Sequence, residues 1–125
     1  MTTTSPRTEL PTPASYRDPQ RNGLAAADLF DGMTEHLIYT LGIRAEGASV
    51  HDLYMALSHT VGDRLMTRHL ATKDQLRAGP AKVVAYLSAE FLIGPQLGNN
   101  LLMLGIHRQA AESVQRFGGP GLEQV

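Results

Sequence analysis

Hydrophobic residues recur at helical spacing over residues 24–41. Leu29, Met33 and Leu37 follow one another at intervals of four positions, so they fall on one face of a helix. Gly42 comes directly after the pattern and is a typical C-terminal breaker. The sequence therefore predicts a first helix over about this range.

A second, longer amphipathic pattern begins after a short polar linker. Ser49 can cap this helix, and Asp52, three residues later, completes a capping-box arrangement with aspartate in place of the usual glutamate. The helix is predicted to run to about Leu76, and Gly79 and Pro80 stop it. Its apolar stripe steps four residues at a time through Leu53, Leu57, Val61 and Leu65, and is widened by Val50, Tyr54 and Met66.

The next apolar run, residues 82–87, is short and rich in valine and tyrosine. Its length and composition predict a buried strand of a parallel sheet rather than another helix. A buried strand needs neighbours on both edges, and the sequence shows no second strand pattern. We therefore expect the chain to be an incomplete part of a larger α/β domain.

Two short helices are predicted beyond this run, over residues 96–104 and 106–117, with a break at Gly105. The turn over residues 94–100 precedes the first of them, and the free N–H groups of a helix N-terminus can bind an anion. The turn lacks the glycine spacing of phosphate-binding and dinucleotide-binding loops. A plain turn followed by a capped helix is therefore the alternative interpretation.

Residues 1–22 are rich in threonine, serine and proline and show no hydrophobic period. They also lack the apolar stretch of a secretory signal. We interpret them as a flexible N-terminal arm, and residues 23–125 as the folded region.

Composition narrows the function classes. A net charge of −1, with scattered basic residues, argues against nucleic acid or an acidic membrane as the partner. Without cysteine, the chain forms no disulfide and has no thiolate chemistry. No apolar stretch approaches the roughly 18 residues of a membrane span. These features predict a cytoplasmic protein.

Candidate chemistry is sparse. The five histidines include no pair at i, i+4, which is the spacing of a zinc-binding helix, so no metal site is predicted. Asp63 follows His59 by four residues, which fits a helix-surface hydrogen bond or, given a nucleophile, a catalytic dyad. Glu90 is the one carboxylate in an apolar stretch, so we expect it to pair with a basic group or to face a polar cleft.

Two segments carry long patterns in register with each other. Residues 84–106 read VAYLSAEFLIGPQLGNNLLMLGI, and residues 52–63 read DLYMALSHTVGD. The first resembles the Y-L-S-x-E-F-x-x-G segment of the α-glucan phosphorylases (glycogen, starch and maltodextrin phosphorylases). The second is similar to the D-x-Y-x-A-L-A-H-T-V-R-D helix of the same family, and the likeness covers about residues 24–117.

The resemblance implies an enzyme that cleaves α-1,4-glucans with inorganic phosphate to glucose 1-phosphate, using pyridoxal 5'-phosphate held on a lysine. It implies two Rossmann-like domains of the GT-B type with the active site between them. This chain would be the mostly helical start of the N-terminal α/β domain. The cofactor lysine of relatives falls outside the likeness, so we expect the chain alone to be inactive.

The resemblance also assigns candidate site residues. Glu90 matches the glutamate of the E-F motif, which borders the substrate and phosphate pocket, where it would orient neighbouring polar groups. Gly94 matches the motif glycine of the same wall, and Leu92 falls where relatives line the cofactor pocket. Pro95 stands where many relatives carry arginine, so an ion pair made there is not expected. No catalytic residue and no metal ligand is carried over.

A homodimer is implied for the intact enzyme, with Leu41, Arg44 and Val50 in the region that packs across the dimer interface of relatives. Arg44 and Arg77 stand where animal enzymes hold AMP with an acidic residue and a tyrosine. The arm also lacks the basic sequence around the regulatory phosphoserine. We therefore expect neither AMP control nor phosphoserine control of the animal type.

The alternative hypothesis is an independent helical interaction module. It would bind a partner through the stripe that runs from Leu53 to Leu65, and the likeness to phosphorylases would then be accidental.

Overall fold

The computed structural model describes residues 18–80, 82–90 and 94–124. The regular structure in these ranges is helical and contains no β-strand, which confirms the predicted helical content. The α-helices are α1 (Pro19–Asn22), α2 (Ala26–Glu35), α3 (Val50–Ala78), α4 (Leu97–Leu104) and α5 (His107–Arg116). A π-helical turn, His36–Thr40, and two 3-10 turns, Ala45–Gly47 and Leu122–Gln124, complete them. None of these helices combines the length and hydrophobicity that a membrane crossing requires.

Most of the predicted N-terminal arm, residues 1–17, lies outside the described ranges. Its described part, residues 18–22, includes α1, which contacts both α2 and α3. The boundary after residue 22 stays a prediction.

The first predicted helix is present as α2 and the π-helical turn. Leu29, Met33 and Leu37 are fully buried, as their spacing predicted. Gly42 ends the helical stretch with a φ of 70°, a left-handed conformation that glycine adopts without a steric penalty.

The second predicted helix is α3, and its cap is formed as expected. The Ser49 hydroxyl accepts a hydrogen bond from the backbone N–H of Asp52 at 3.2 Å, and the Asp52 carboxylate accepts one from the Ser49 N–H at 2.8 Å. This reciprocal pair satisfies two of the N–H groups that a helix start leaves unpaired.

The core lies where α2, α3, α4 and α5 meet. α3 contributes Leu53, Leu57 and Val61 to it, as predicted, and α5 contributes Ala110 and Val114. The aromatic rings of Phe30 and Phe117 stack at its edge, with centroids 4.3 Å apart. These contacts pack the helices around one hydrophobic core.

The expected widening of the α3 stripe is wrong at two positions. Val50 and Met66 are 43% and 57% exposed, whereas Ala56, Thr60 and Arg64 are buried. The reason is that α2 packs on that side of α3: a side chain added at Gly32 would meet Thr60.

The break between α4 and α5 is confirmed. Gly105 has a φ of 71°, and its N–H donates to the Leu102 carbonyl while the Ile106 N–H donates to the Leu101 carbonyl. This pair of hydrogen bonds is a Schellman motif, which requires the left-handed residue that glycine supplies.

The prediction of a buried strand over residues 82–87 is wrong for the described chain. The segment is irregular and exposed, with Val84 at 90% and Leu87 at 92% exposure. A strand needs ladder partners, and the described ranges contain no other strand to supply them. The α/β character of the expected domain is therefore not present in these ranges.

Replacing Gly62 by alanine is expected to raise the free energy of unfolding by about 0.5–1 kcal/mol. Gly62 lies inside α3, and an added Cβ would meet no other atom within 4 Å, so the helix gains propensity without a clash. Gly32→Ala is the matched control, because its Cβ would lie 3.0 Å from the Thr60 methyl group. Urea unfolding of both variants checks the prediction, and equal effects would contradict it.

Acidification is expected to weaken the cap of α3. Hydrogen bonds from the Ser49 side chain and backbone lower the pKa of Asp52 below its usual value. Because the folded pKa lies below the unfolded one, this contribution is complete above the unfolded value of about 3.9 and is lost as the pH falls through the folded value. Urea unfolding of the chain and of Asp52→Asn across this range checks it. The variant should lose less stability in acid, and parallel curves would refute the assignment.

Candidate functional site

Glu90 lies on the surface, in the segment between α3 and α4. Its backbone N–H donates to the Ser88 hydroxyl at 3.1 Å, and that hydroxyl donates to the Glu90 carbonyl at 2.9 Å. Within the described ranges its carboxylate forms no ion pair. The carboxylate therefore projects from an exposed turn and is available to groups outside these ranges.

Gly94 has a φ of 156°, a value that side-chain-bearing residues rarely adopt. This backbone conformation gives a physical reason for glycine at the motif position. Leu92 lies outside the described residues, so its expected place beside the cofactor stays a prediction.

A shallow groove of about 280 Å³ lies next to Pro95 and the start of α4. Tyr54 and His107 are its side chains with polar groups, and most of the remaining wall is apolar. The wall residues are Tyr54, Pro95, Leu97, Gly98, Leu101, His107 and Leu122. Among the described residues that line the groove, none is a carboxylate or a lysine.

The three interface candidates lie together in the α2–α3 connection and differ in exposure. Leu41 packs partly against the core, and its N–H donates to the His36 carbonyl at 2.9 Å. Arg44 and Val50 are exposed, Arg44 just before the 3-10 turn and Val50 at the start of α3. They belong to a different segment of the chain from Glu90 and Gly94.

A polar cluster that local sequence spacing did not reveal joins α1, α2 and α3. The Asp63 carboxylate lies 3.1 Å from Nε2 of His36 and 3.3 Å from Nε of Arg21. Nδ1 of His36 contacts the Thr40 hydroxyl at 2.9 Å, and Arg21 also approaches Glu35 at 3.5 Å. Through Asp63 these contacts connect α1 and the π-helical turn to α3, which is a structural role.

The structure changes the interpretation of the His59–Asp63 pair. Asp63 pairs with His36 of the π-helical turn, and the His59 ring stacks on the His36 ring with centroids 5.3 Å apart. The signal that identified Asp63 was local, whereas its partner lies 27 positions upstream. Sequence spacing alone therefore assigned the wrong imidazole.

Arg64 is a second residue that the sequence analysis missed. Although only 2% exposed, it donates to three backbone carbonyls: to Gly23 at 2.8 Å, to Thr60 at 2.7 Å and to Asp28 at 3.4 Å. Burial lowers the pKa of Arg64, and the nearby carboxylates of Asp63 and Asp28 oppose this shift. The guanidinium ties the start of α2 to the middle of α3.

No group of three histidine, aspartate or glutamate side chains in the described ranges is placed to hold a metal ion. The two lysines, Lys73 and Lys82, are both on the surface. The part of the chain that the structure describes thus presents a packed helical scaffold and a mostly exposed segment over residues 82–90, called the motif segment below.

Comparison with known proteins gives matches to glycogen phosphorylases. The chain is 40% identical over 98 residues to the enzyme of Synechocystis sp., a match covering 78% of this chain and 12% of that protein. It is 35% identical over 92 residues to the human liver form, covering 74% and 11% respectively, and 33% identical over the same length to the rat muscle form. The chain belongs to the α-glucan phosphorylase family.

The matches support the interpretation of this α-glucan phosphorylase sequence as an N-terminal fragment. The chain spans about one-eighth or less of the curated relatives it matches, at 12% and 11% of their lengths. No known family model matches this chain, and no solved structure matches it.

Proposed function

We propose that this chain is the start of the N-terminal Rossmann-like domain of a GT-B-type enzyme that degrades α-1,4-glucans with inorganic phosphate to glucose 1-phosphate. The 40% identity to a glycogen phosphorylase over 78% of the chain is the observation that carries the proposal. Phosphorylase-type chemistry in general follows from the family, and the particular substrates are part of the proposal.

The distribution of apolar surface supports a larger domain. Val83, Val84, Tyr86 and Leu87 are exposed in the motif segment, and α4 exposes Leu102 and Met103. Apolar side chains at this density on one segment are normally covered in a folded protein. In the proposed enzyme, further chain covers these exposed side chains.

Glu90 and Gly94 would then form part of the wall of the substrate and phosphate pocket. The exposed carboxylate of Glu90 is available to orient polar groups contributed by other parts of the enzyme, and Gly94 adopts a backbone angle that other residues rarely take. Leu92, between them in sequence, would line the cofactor pocket. Glu90 acts here as a positioning residue and not as a proton donor.

Pyridoxal 5'-phosphate is the proposed cofactor of the whole enzyme, but the described residues do not fit its attachment. Lys73 lies exposed on α3, Lys82 lies exposed in the motif segment, and neither lines the groove beside α4. When bound elsewhere in the enzyme, the cofactor would supply a phosphate group for proton transfer. No step of that chemistry is assigned to this chain.

A homodimer is proposed for the whole enzyme, with the connection that contains Arg44 and Val50 at the interface. Both side chains are exposed and free to contact a second subunit, whereas Leu41 would serve mainly to hold the connection on the core.

The enzyme is also proposed to lack regulation of the animal type. Arg44 and Arg77 are exposed, and an arginine side chain offers no hydrogen-bond acceptor for AMP.

The structure weighs against the interaction-module alternative in its original form. That hypothesis requires the α3 stripe to be free for a partner, but Leu53, Leu57 and Val61 are buried in the core that α3 shares with the other helices. The stripe is the core of the chain itself.

An assay of phosphate-dependent glucan cleavage tests the proposal. The protein translated from the complete reading frame and the 125-residue chain are each incubated with maltodextrin, inorganic phosphate and pyridoxal phosphate. We expect the complete protein to form glucose 1-phosphate and the 125-residue chain to form none. A gene that ends at codon 125, or a complete protein without phosphate-dependent cleavage, overturns the proposal.

Glu90→Gln in the complete protein tests the assigned residue, with Glu112→Gln, an exposed glutamate on α5, as the matched control. Misplacement of the phosphate by loss of the carboxylate is expected to lower kcat/KM by about 10- to 100-fold, mainly through a higher KM for phosphate. The control should leave both constants and the thermal unfolding unchanged. Equal kinetics of the two variants would remove Glu90 from the site.

A further inference from the structure

The segment 82–90 is the part of the described chain whose backbone is most available to pair with another strand, because it belongs to no helix. Its side chains alternate between two faces when the backbone is extended, and both faces carry large apolar groups: Val84 and Tyr86 on one, Val83 and Leu87 on the other. All four are exposed. The segment has no proline and only one charge at each end, a composition typical of strands that pair between molecules.

The helices do not need this segment for their own packing. The hydrophobic core is formed entirely from the helices and their connecting turns, and no residue of 82–90 belongs to it. α3 precedes the segment and α4 follows it, and these two helices contact each other. The segment thus belongs to the connection between two helices that contact each other.

We propose that in the 125-residue chain this segment pairs with the same segment of a second copy, antiparallel and about a two-fold axis at Tyr86. Two-fold association uses one patch on both molecules, so a single self-complementary segment suffices. The pairing surface differs from the connection that contains Arg44 and Val50. It also does not depend on the proposed enzymatic activity.

The end charges select this arrangement. With Tyr86 opposite its symmetry mate, Lys82 of each copy lies opposite Glu90 of the other, so opposite charges meet at both ends. The remaining opposed pairs are Val83 with Ala89, Val84 with Ser88, and Ala85 with Leu87. A parallel, in-register pairing would instead place lysine against lysine and glutamate against glutamate, which is unfavourable.

Forming the ladder requires one local rearrangement. The two hydrogen bonds between Ser88 and Glu90 lie at the surface, and both must open for the segment to extend through Glu90. The ladder then supplies new partners for the backbone groups of Glu90. The rearrangement therefore exchanges hydrogen bonds rather than removing them.

Single cysteines test the register, because the natural chain has none. In Tyr86→Cys the two thiols lie directly opposite each other, about 4.5–5.5 Å apart at Cβ, and should be oxidised to a covalent dimer. In Val84→Cys the two thiols are four positions apart along the ladder, about 13 Å, and should not. Comparable crosslinking of both variants would indicate a parallel pairing and overturn the proposal. The absence of crosslinking in both would also overturn it.

Charge exchange tests the same pairing without a covalent bond. Lys82→Glu and Glu90→Lys should each weaken the dimer by about 2- to 30-fold, since each change affects both ends. The double variant, which restores opposite charges, should regain the original dissociation constant in sedimentation experiments. Helical content measured by circular dichroism should be the same in all three. A monomeric natural chain, or a double variant as weak as the single ones, contradicts the proposal.

Discussion

Replacing Leu57 by alanine is expected to lower the free energy of unfolding of the chain by about 2–5 kcal/mol. Leu57 is fully buried in the middle of α3 and belongs to the shared core of the helices. The truncation removes apolar contacts and leaves a cavity that the surrounding helices fill only in part. Since whole domains are stabilised by only about 5–15 kcal/mol, this change alone should remove a large fraction of the stability.

Leu102→Ala is the matched control for this prediction. Leu102 is also a helical leucine but is 67% exposed, so its truncation should change the free energy of unfolding by less than about 0.5 kcal/mol. Urea unfolding followed by circular dichroism, at one low protein concentration, measures both variants. Similar midpoints for the two variants would show that the core is not where the structure places it.

Replacing Arg64 by methionine is the second change with a large expected effect. Methionine fills the space of the arginine stem but leaves the three carbonyls of Gly23, Asp28 and Thr60 without their charged donor. Hydrogen bonds to charged groups are each worth about 1.5–3 kcal/mol, and their loss is only partly offset by removing a buried charge. We expect a loss of about 2–4 kcal/mol, with hydrogen exchange rising first at residues 23–30.

Arg64→Lys separates the geometry of the guanidinium from its charge. Lysine keeps the positive charge, but its single ammonium cannot reach three carbonyls that the planar fork of arginine contacts together. The lysine variant should therefore recover at most about half of the stability lost in the methionine variant. Full recovery would mean that the charge, and not the arrangement of donors, holds α2 on α3.

The helices were predictable because their signals are local. The spacing of Leu29, Met33 and Leu37 and the Ser49–Asp52 cap depend on residues a few positions apart, and the structure reproduces both. The Gly105 break is equally local. Propensity, periodicity and capping agree at each of these places, so tertiary structure had little to override.

The segment 82–87 shows where such reasoning ends. Its composition fits a strand, but a strand exists only when another strand provides its hydrogen bonds, and local spacing does not report that partner. The same limit applies to Asp63, whose histidine partner lies 27 positions away. Arg64 and Thr60 lie outside the apolar stripe that the spacing of hydrophobic residues identifies, and the approach of α2 buries them.

The candidate site was recognisable only through motif likeness. Nothing in the spacing around Glu90 distinguishes a pocket wall from a solvated turn, and in the described ranges the residue makes only local hydrogen bonds through its backbone. Gly94 is the exception, because its backbone angle gives an independent reason for the residue type.

Because α3 is long, a small change in its packing at Arg64 produces a large displacement at its C-terminal end. All fully buried residues of this helix lie between Leu53 and Arg64, and the stretch from Arg64 to Ala78 is about 21 Å long. A tilt of about 10° at Arg64 would move the far end of this stretch by about 4 Å. The contacts of the Arg64 guanidinium therefore also set the position of the C-terminal end of α3. Substitutions at Arg64 should displace the motif segment 82–90 even where the segment itself is unchanged.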